Sequence, residues 1–198
     1  MIDRDDPRAS GVKVIAVFGG SFDPPHVAHV LAASYVLATE ELDRLMVVPT
    51  WQHPLDKRTH ADFEDRFRMC QLAMRDLARV EVSRIEQELG GESRTIRTLH
   101  ELRRRMPGTP LRLIVGSDLL AEVDRWLAFD QITALAPPLV LGRTGFPTGR
   151  DLPVEFPPVS SRDIRHRVAT GEPTAGLLPR AVADYIEHEL LYRKPDEP

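Results

Sequence analysis

Short apolar runs alternate along this chain with longer stretches in which apolar residues return every three or four positions. The runs at 12–18, 44–49, 79–85, 111–115 and 139–142 predict strands, and the periodic stretches at 27–40, 62–76, 95–106 and 119–128 predict helices. The strands are apolar throughout rather than alternating, which suits a parallel sheet covered on both faces and an α/β fold. Ile96, Leu99, Leu102 and Met106 recur at helical spacing and read as core. From Pro137 to Pro158 proline and glycine dominate, so this stretch reads mostly as loop. Two more helices are expected at 161–169 and 180–191. Pro179 suits the first helical position of the second, and Val182, Ile186 and Leu190 form its apolar face.

With 198 residues the chain can bury a substantial core as one large domain, or as a core with a small appended lobe. The expected division is a flexible segment at 1–11, a domain at 12–192 whose portion from about 160 to 192 is helical, and a tail at 193–198. A net charge of −4 gives no general attraction to nucleic acid or anionic membrane, and no basic stripe carries interleaved aromatics. Cys70 is the single cysteine, the first residues lack the apolar stretch of a signal peptide, and no apolar run is long enough to span a bilayer. These features suit the reducing cytoplasm. A homo-oligomer is left open.

Candidate chemistry concentrates in Gly19-Gly20-Ser21-Phe22-Asp23-Pro24-Pro25-His26-Val27-Ala28-His29, where the first strand hands over to the first helix. Such junctions bind phosphates, because free N–H groups and the helix dipole both favour an anion. Gly19 and Gly20 are expected to make a tight turn and to let a ligand approach the main chain. His26 and His29, three apart, are expected on one face of the first helical turn. A metal site is disfavoured, since Asp23 is the only further ligand nearby. A plain turn with incidental histidines is the bland alternative. Neither G-x-x-x-x-G-K-[ST] nor G-x-G-x-x-G occurs here, which argues against P-loop hydrolases and dehydrogenases.

Further strand exits add polar groups. Gly116-Ser117-Asp118 precedes a helical pattern that Asp118 is expected to cap, with ribose recognition as its other reading. Trp126 reads equally as core and as an aromatic wall for a planar ring. Ser160-Ser161-Arg162-Asp163-Ile164-Arg165 has the form of a helix start, in which Ser160 and Asp163 mimic a capping box. The same stretch offers an anion site through Ser160, Ser161 and Arg165. Gly90-Gly91 marks a turn, after which Ser93 or Thr95 would cap a helix. Trp51 to Arg58 joins an aromatic to Lys57 and Arg58, and reads either as a lid or as a solvated basic loop.

Together these stretches carry a resemblance. GGSFDPPHVAH at 19–29, ESRTIRTLHEL at 92–102, VGSDLLAEVDRW at 115–126, SSRDIR at 160–165 and LLPRAVADYI at 177–186 resemble the nicotinate-mononucleotide adenylyltransferase family. That family lies within the α/β nucleotidyltransferases with an H-x-G-H motif, and the likeness runs from about Val12 to Tyr192. It implies a Rossmann-like nucleotidyltransferase fold and a role in NAD biosynthesis. ATP, with Mg²⁺, and a pyridine mononucleotide would lie across the carboxyl edge of the sheet, and the mononucleotide's 5′-phosphate would attack the α-phosphorus directly. It further implies catalytic roles for His26 and His29 at the ATP phosphates. Gly19, Gly20, Ser21, Phe22, Gly116 and Asp118 would contact ATP, and Ser160, Ser161, Arg165 and Lys57 its outer phosphates. Ser93, Thr95, Trp126 and Arg143 would meet the mononucleotide.

The chain departs from the family pattern in places. Ala28 replaces the glycine of H-x-G-H, Arg94 stands where an aromatic is common, and Phe129 stands where a second Trp is common. Nicotinamide mononucleotide or phosphopantetheine therefore remain as alternative acceptors, and a catalytically silent nucleotide-binding module remains as a different class.

Overall fold

The computed structural model describes residues 13–52, 59–120, 126–145 and 154–193. The expected flexible start at 1–11 and all of the tail but Arg193 lie outside these residues. Six strands form one parallel sheet: β1 (Ile15–Gly20), β2 (Arg44–Pro49), β3 (Val80–Val82), β4 (Leu111–Gly116), β5 (Pro138–Arg143) and β6 (Glu155–Phe156). Their order is β3-β2-β1-β4-β5-β6. Helices α1 (Val27–Thr39), α2 (Phe63–Met74), α7 (Ser161–Thr170) and α8 (Arg180–His188) contribute to one apolar layer. The opposite layer takes α3 (Ile85–Leu89), α4 (Thr95–Arg105) and α6 (Phe129–Leu135). The four-residue α5 (Ser117–Leu120) follows β4 directly.

The central strands are apolar on both sides because both layers need them. Ala16, Leu45, Val47 and Ile114 face α1, α2, α7 and α8, while Ile15, Val17, Met46, Leu113 and Val115 face the α4 side. The stripe on α4 is buried as expected at Ile96, Leu99 and Leu102, with Met106 partly buried against it. On α1 the buried residues are the small Ala32 and Ala33 together with Val36. Successive strands are added in opposite directions outward from β1 and β4, so the crevice between their carboxyl ends is the topological switch point where open α/β sheets bind ligands.

Several expectations need correction. Gly19 and Gly20 are strand residues, paired with Val48 and Pro49, and the left-handed residue of the following turn is Phe22, with φ 47°. The helix expected over 119–128 does not extend to 126–128, which are not helical. Ala128, with φ 60°, lies outside a helix and acts as N-cap of α6, and 121–125 lie outside the described residues. The 79–85 run shortens to β3, and α3 starts at its end. Pro179 is the N-cap of α8 rather than its first residue. Leu190 leaves the apolar face because α8 ends earlier. With φ 55° it forms the left-handed turn, Leu191 N–H returns to Ile186 C=O at 3.0 Å, and Leu190 is left exposed.

Candidate active site

A cavity of about 480 Å³ opens at the carboxyl ends of β1 and β4. That size suits a small-molecule site. Gly19, Gly20, Ser21, Phe22, His26 and His29 line one side. Gly116, Asp118 and Arg143 lie across from them on β4, α5 and β5, and Ser93, Thr95 and Trp126 complete the wall. The chain thus gathers twelve of the sixteen site residues expected from sequence into one cavity wall. Lys57 lies outside the described residues. Ser160, Ser161 and Arg165 do not line the cavity; they hold the loop beside it.

His26 is the N-cap of α1 rather than part of its first turn, and His29 is its third residue. Their rings stack at 3.7 Å between centroids, and the Phe22 ring meets His29 edge-on at 4.9 Å. His26 backbone N–H donates to His29 Nδ1 at 3.1 Å. A neutral His29 therefore carries its proton on Nε2 and is a donor there. His26 Nδ1 is buried and finds no hydrogen-bond partner among the described residues. Burial, aided by the Arg143 charge, brings the His26 pKa down to about 4. Burial, then His26 and then Arg143 push His29 well below the ordinary imidazole value. Without an anion present, both rings are neutral near pH 7.

The acceptor side is held by side chains rather than by helix caps. Neither Ser93 nor Thr95 caps α4, whose N-cap is Arg94 without a side-chain cap bond. Ser93 Oγ instead accepts from the N–H groups of Trp51 at 2.9 Å and Gln52 at 3.2 Å, fixing the exit of β2. Glu86 reinforces it, accepting from Trp51 N–H at 3.2 Å and from the Thr98 hydroxyl at 3.0 Å. Asp118 is not a cap either; it pairs with Arg143 at 2.5 Å. The backbone N–H of Arg143 donates to Ser117 Oγ at 2.8 Å. A Cβ on Gly116 would fall inside van der Waals contact of Asp118 Oδ1, so this glycine makes the ion pair sterically feasible. Trp126 packs on the α4-side core and lines the cavity, with Phe129 edge-on at 6.0 Å.

The loop at 21–25 is clamped from outside. Ser160 caps α7 by accepting from Asp163 N–H at 3.1 Å, leaving Ser161 Oγ to donate to Pro24 C=O at 2.8 Å. Arg165 donates to Asp23 C=O at 2.6 Å. Arg66, 1% exposed, donates to Ser21 C=O at 2.9 Å and to Ala61 C=O at 3.3 Å. Arg66, Glu86 and Tyr192 were not singled out from sequence. Arg66 had a signal, since it shares the helical face of Phe63, Phe67 and Cys70, where an arginine must be buried.

A parallel sheet whose glycine-lined switch point opens onto stacked imidazoles, opposite a wall with an indole, defines a nucleotide-binding α/β protein. The cytidylyltransferase-like family matches residues 17–167. A protein of Anaeromyxobacter sp. (strain K) named "Probable nicotinate-nucleotide adenylyltransferase" is 44% identical over 93% of this chain and 99% of its own. One of the same name from Myxococcus xanthus (strain DK1622) is 42% identical over 91% and 97%. The solved Plasmodium falciparum nicotinic acid mononucleotide adenylyltransferase complexed with NaAD shares the fold, with a TM-score of 0.78 at 19% identity over 91% of this chain and 97% of that one. The chain belongs to the cytidylyltransferase-like family and, within it, to the nicotinate-nucleotide adenylyltransferases. No helix among the described residues is long and apolar enough to cross a membrane.

Proposed function

We propose that this protein is a nicotinate-nucleotide adenylyltransferase of NAD biosynthesis, working in the cytoplasm. It transfers AMP from ATP to nicotinate mononucleotide, giving nicotinate adenine dinucleotide and pyrophosphate. The observation that carries the reading is one cavity at the switch point lined both by glycines and imidazoles and by Thr95 and Trp126. A 5′-phosphate oxygen attacks the α-phosphorus in line, the bond to the bridging oxygen breaks, and pyrophosphate leaves with that electron pair. The nucleophile is already anionic, so alignment and charge stabilisation supply the catalysis and no general base is assigned.

His29 Nε2–H supplies a donor to the α-phosphate, and His26 faces the same phosphates. Gly19, Gly20, Ser21, Phe22, Gly116 and Asp118 border ATP. The family resemblance assigns Ser160, Ser161, Arg165 and Lys57 to its outer phosphates; Ser161 and Arg165 also hold the 21–25 loop beside the cavity, through Pro24 C=O and Asp23 C=O. Ser93, Thr95, Trp126 and Arg143 border the mononucleotide. Among the described residues no group of three or more His, Cys, Asp or Glu side chains could hold a metal ion. Mg²⁺ would enter with the substrate as MgATP and would offset the charge of its phosphates. Pyrophosphate release with nicotinate mononucleotide, nicotinamide mononucleotide and phosphopantetheine as acceptors tests the reading. The highest kcat/KM is expected for the acid; preference for another acceptor, or no release with any, would refute it.

A further inference from the structure

Asp23 lies within the phosphate-side loop yet faces away from the cavity, and it is 3% exposed. Its carboxylate is surrounded by donors from three distant parts of the chain. Oδ2 accepts from His60 N–H at 2.7 Å and lies 3.9 Å from Arg165 Nη1, while Oδ1 accepts from Ala61 N–H at 3.1 Å and from the Tyr192 hydroxyl at 2.8 Å. Tyr192 reaches this position through a turn that side chains rarely adopt, with Leu190 at φ 55° and Tyr192 itself at φ 62°. Left-handed backbone at two bulky residues persists only where surrounding contacts over-determine it. Burial, and after it the Asp23 charge, push the Tyr192 pKa upward, so its hydroxyl stays a donor. One more contact joins the C-terminal part to α1: Val27 N–H donates to Leu177 C=O at 3.0 Å.

We infer that Tyr192 is a positioning residue for adenylyl transfer, acting through Asp23 to hold the loop between Phe22 and His26 in register with the ATP phosphates. The last residues of the described chain thereby set the geometry of a site to which they contribute no wall. Removing the hydroxyl leaves Oδ1 with the Ala61 N–H alone in a buried setting. The loop then relaxes by tenths of an ångström, where positioning is worth factors of ten in rate. The inference rests on the function proposed above. It concerns the ATP end only, because none of these contacts touches Ser93, Thr95 or Trp126.

The test uses the full chain with Tyr192→Phe, Asp23→Asn and the double variant, measuring kcat and both KM values with MgATP and nicotinate mononucleotide. For Tyr192→Phe, kcat should fall about tenfold and KM for ATP rise, with KM for the mononucleotide within about twofold of the parent. The double variant should lose less than the sum of the two single losses, because Tyr192 acts only through residue 23. Unchanged constants, an equal rise in both KM values, or independent effects in the double variant would overturn the inference. Should Asp23→Asn fail to fold, the split between the two KM values in Tyr192→Phe decides alone. A parent enzyme without transfer would refute the proposed function instead.

Discussion

Acid should destabilise this protein through its buried histidines, and the share of His26 can be isolated. The ring is 5% exposed, and burial together with Arg143 lowers its pKa from 6.5 to about 4. Between those values the unfolded chain binds a proton that the native chain refuses, so stability rises with pH. The contribution is complete above about pH 6.5 and is lost as the pH falls towards about 4. Run to completion the shift is worth about 3 kcal/mol, most of which is gone near pH 4.5. Urea unfolding of the parent and of His26→Gln, each at about pH 7.5 and about pH 4.5, measures it. The parent should lose about 2–3 kcal/mol more than the variant on acidification. An equal loss in both proteins would show that His26 is not held neutral by burial, and the tautomer reasoning for the stacked pair would go with it.

Three other substitutions probe separate parts of the site. His29→Ala should lower kcat about 10²–10³-fold, equivalent to about 3–4 kcal/mol, with an unchanged circular dichroism spectrum; full kcat would remove His29 from the chemistry. Arg165→Ala should reduce kcat/KM for ATP more than for the mononucleotide, and steady-state kinetics with each substrate varied would show the opposite if Arg165 served the acceptor. Gly116→Ala displaces the end of the Asp118 side chain and loosens its pair with Arg143, so it should cost no more than about 1 kcal/mol in urea unfolding; a larger loss would contradict the packing described there.

How much of this was legible in the sequence depended on length and on burial. The runs that became β1, β2 and β4 were readable because both of their faces are buried, and α4 because its apolar stripe spans three turns. α3 and α6, five and seven residues long, complete too few turns to show a period, and β6 has two residues. Leu119 and Leu127, in the stretch where a helix was expected, are exposed and border the cavity. Gly19-Gly20 borders the cavity, and Gly20 also makes room for the Phe22 ring, 3.1 Å from where its Cβ would stand. The neutrality of His26 and His29, the Asp118–Arg143 pair and the Tyr192–Asp23 contact arise only when distant segments meet. Local spacing carries no trace of them.

The central claim is transfer of an intact adenylyl group to nicotinate mononucleotide. Incubation with ATP labelled at the α-phosphorus tests it most directly. The expected result is label in a dinucleotide, with one unlabelled pyrophosphate released for each dinucleotide formed. Label recovered as ADP or free AMP, or dinucleotide formed without matching pyrophosphate, would contradict direct in-line transfer in this cavity.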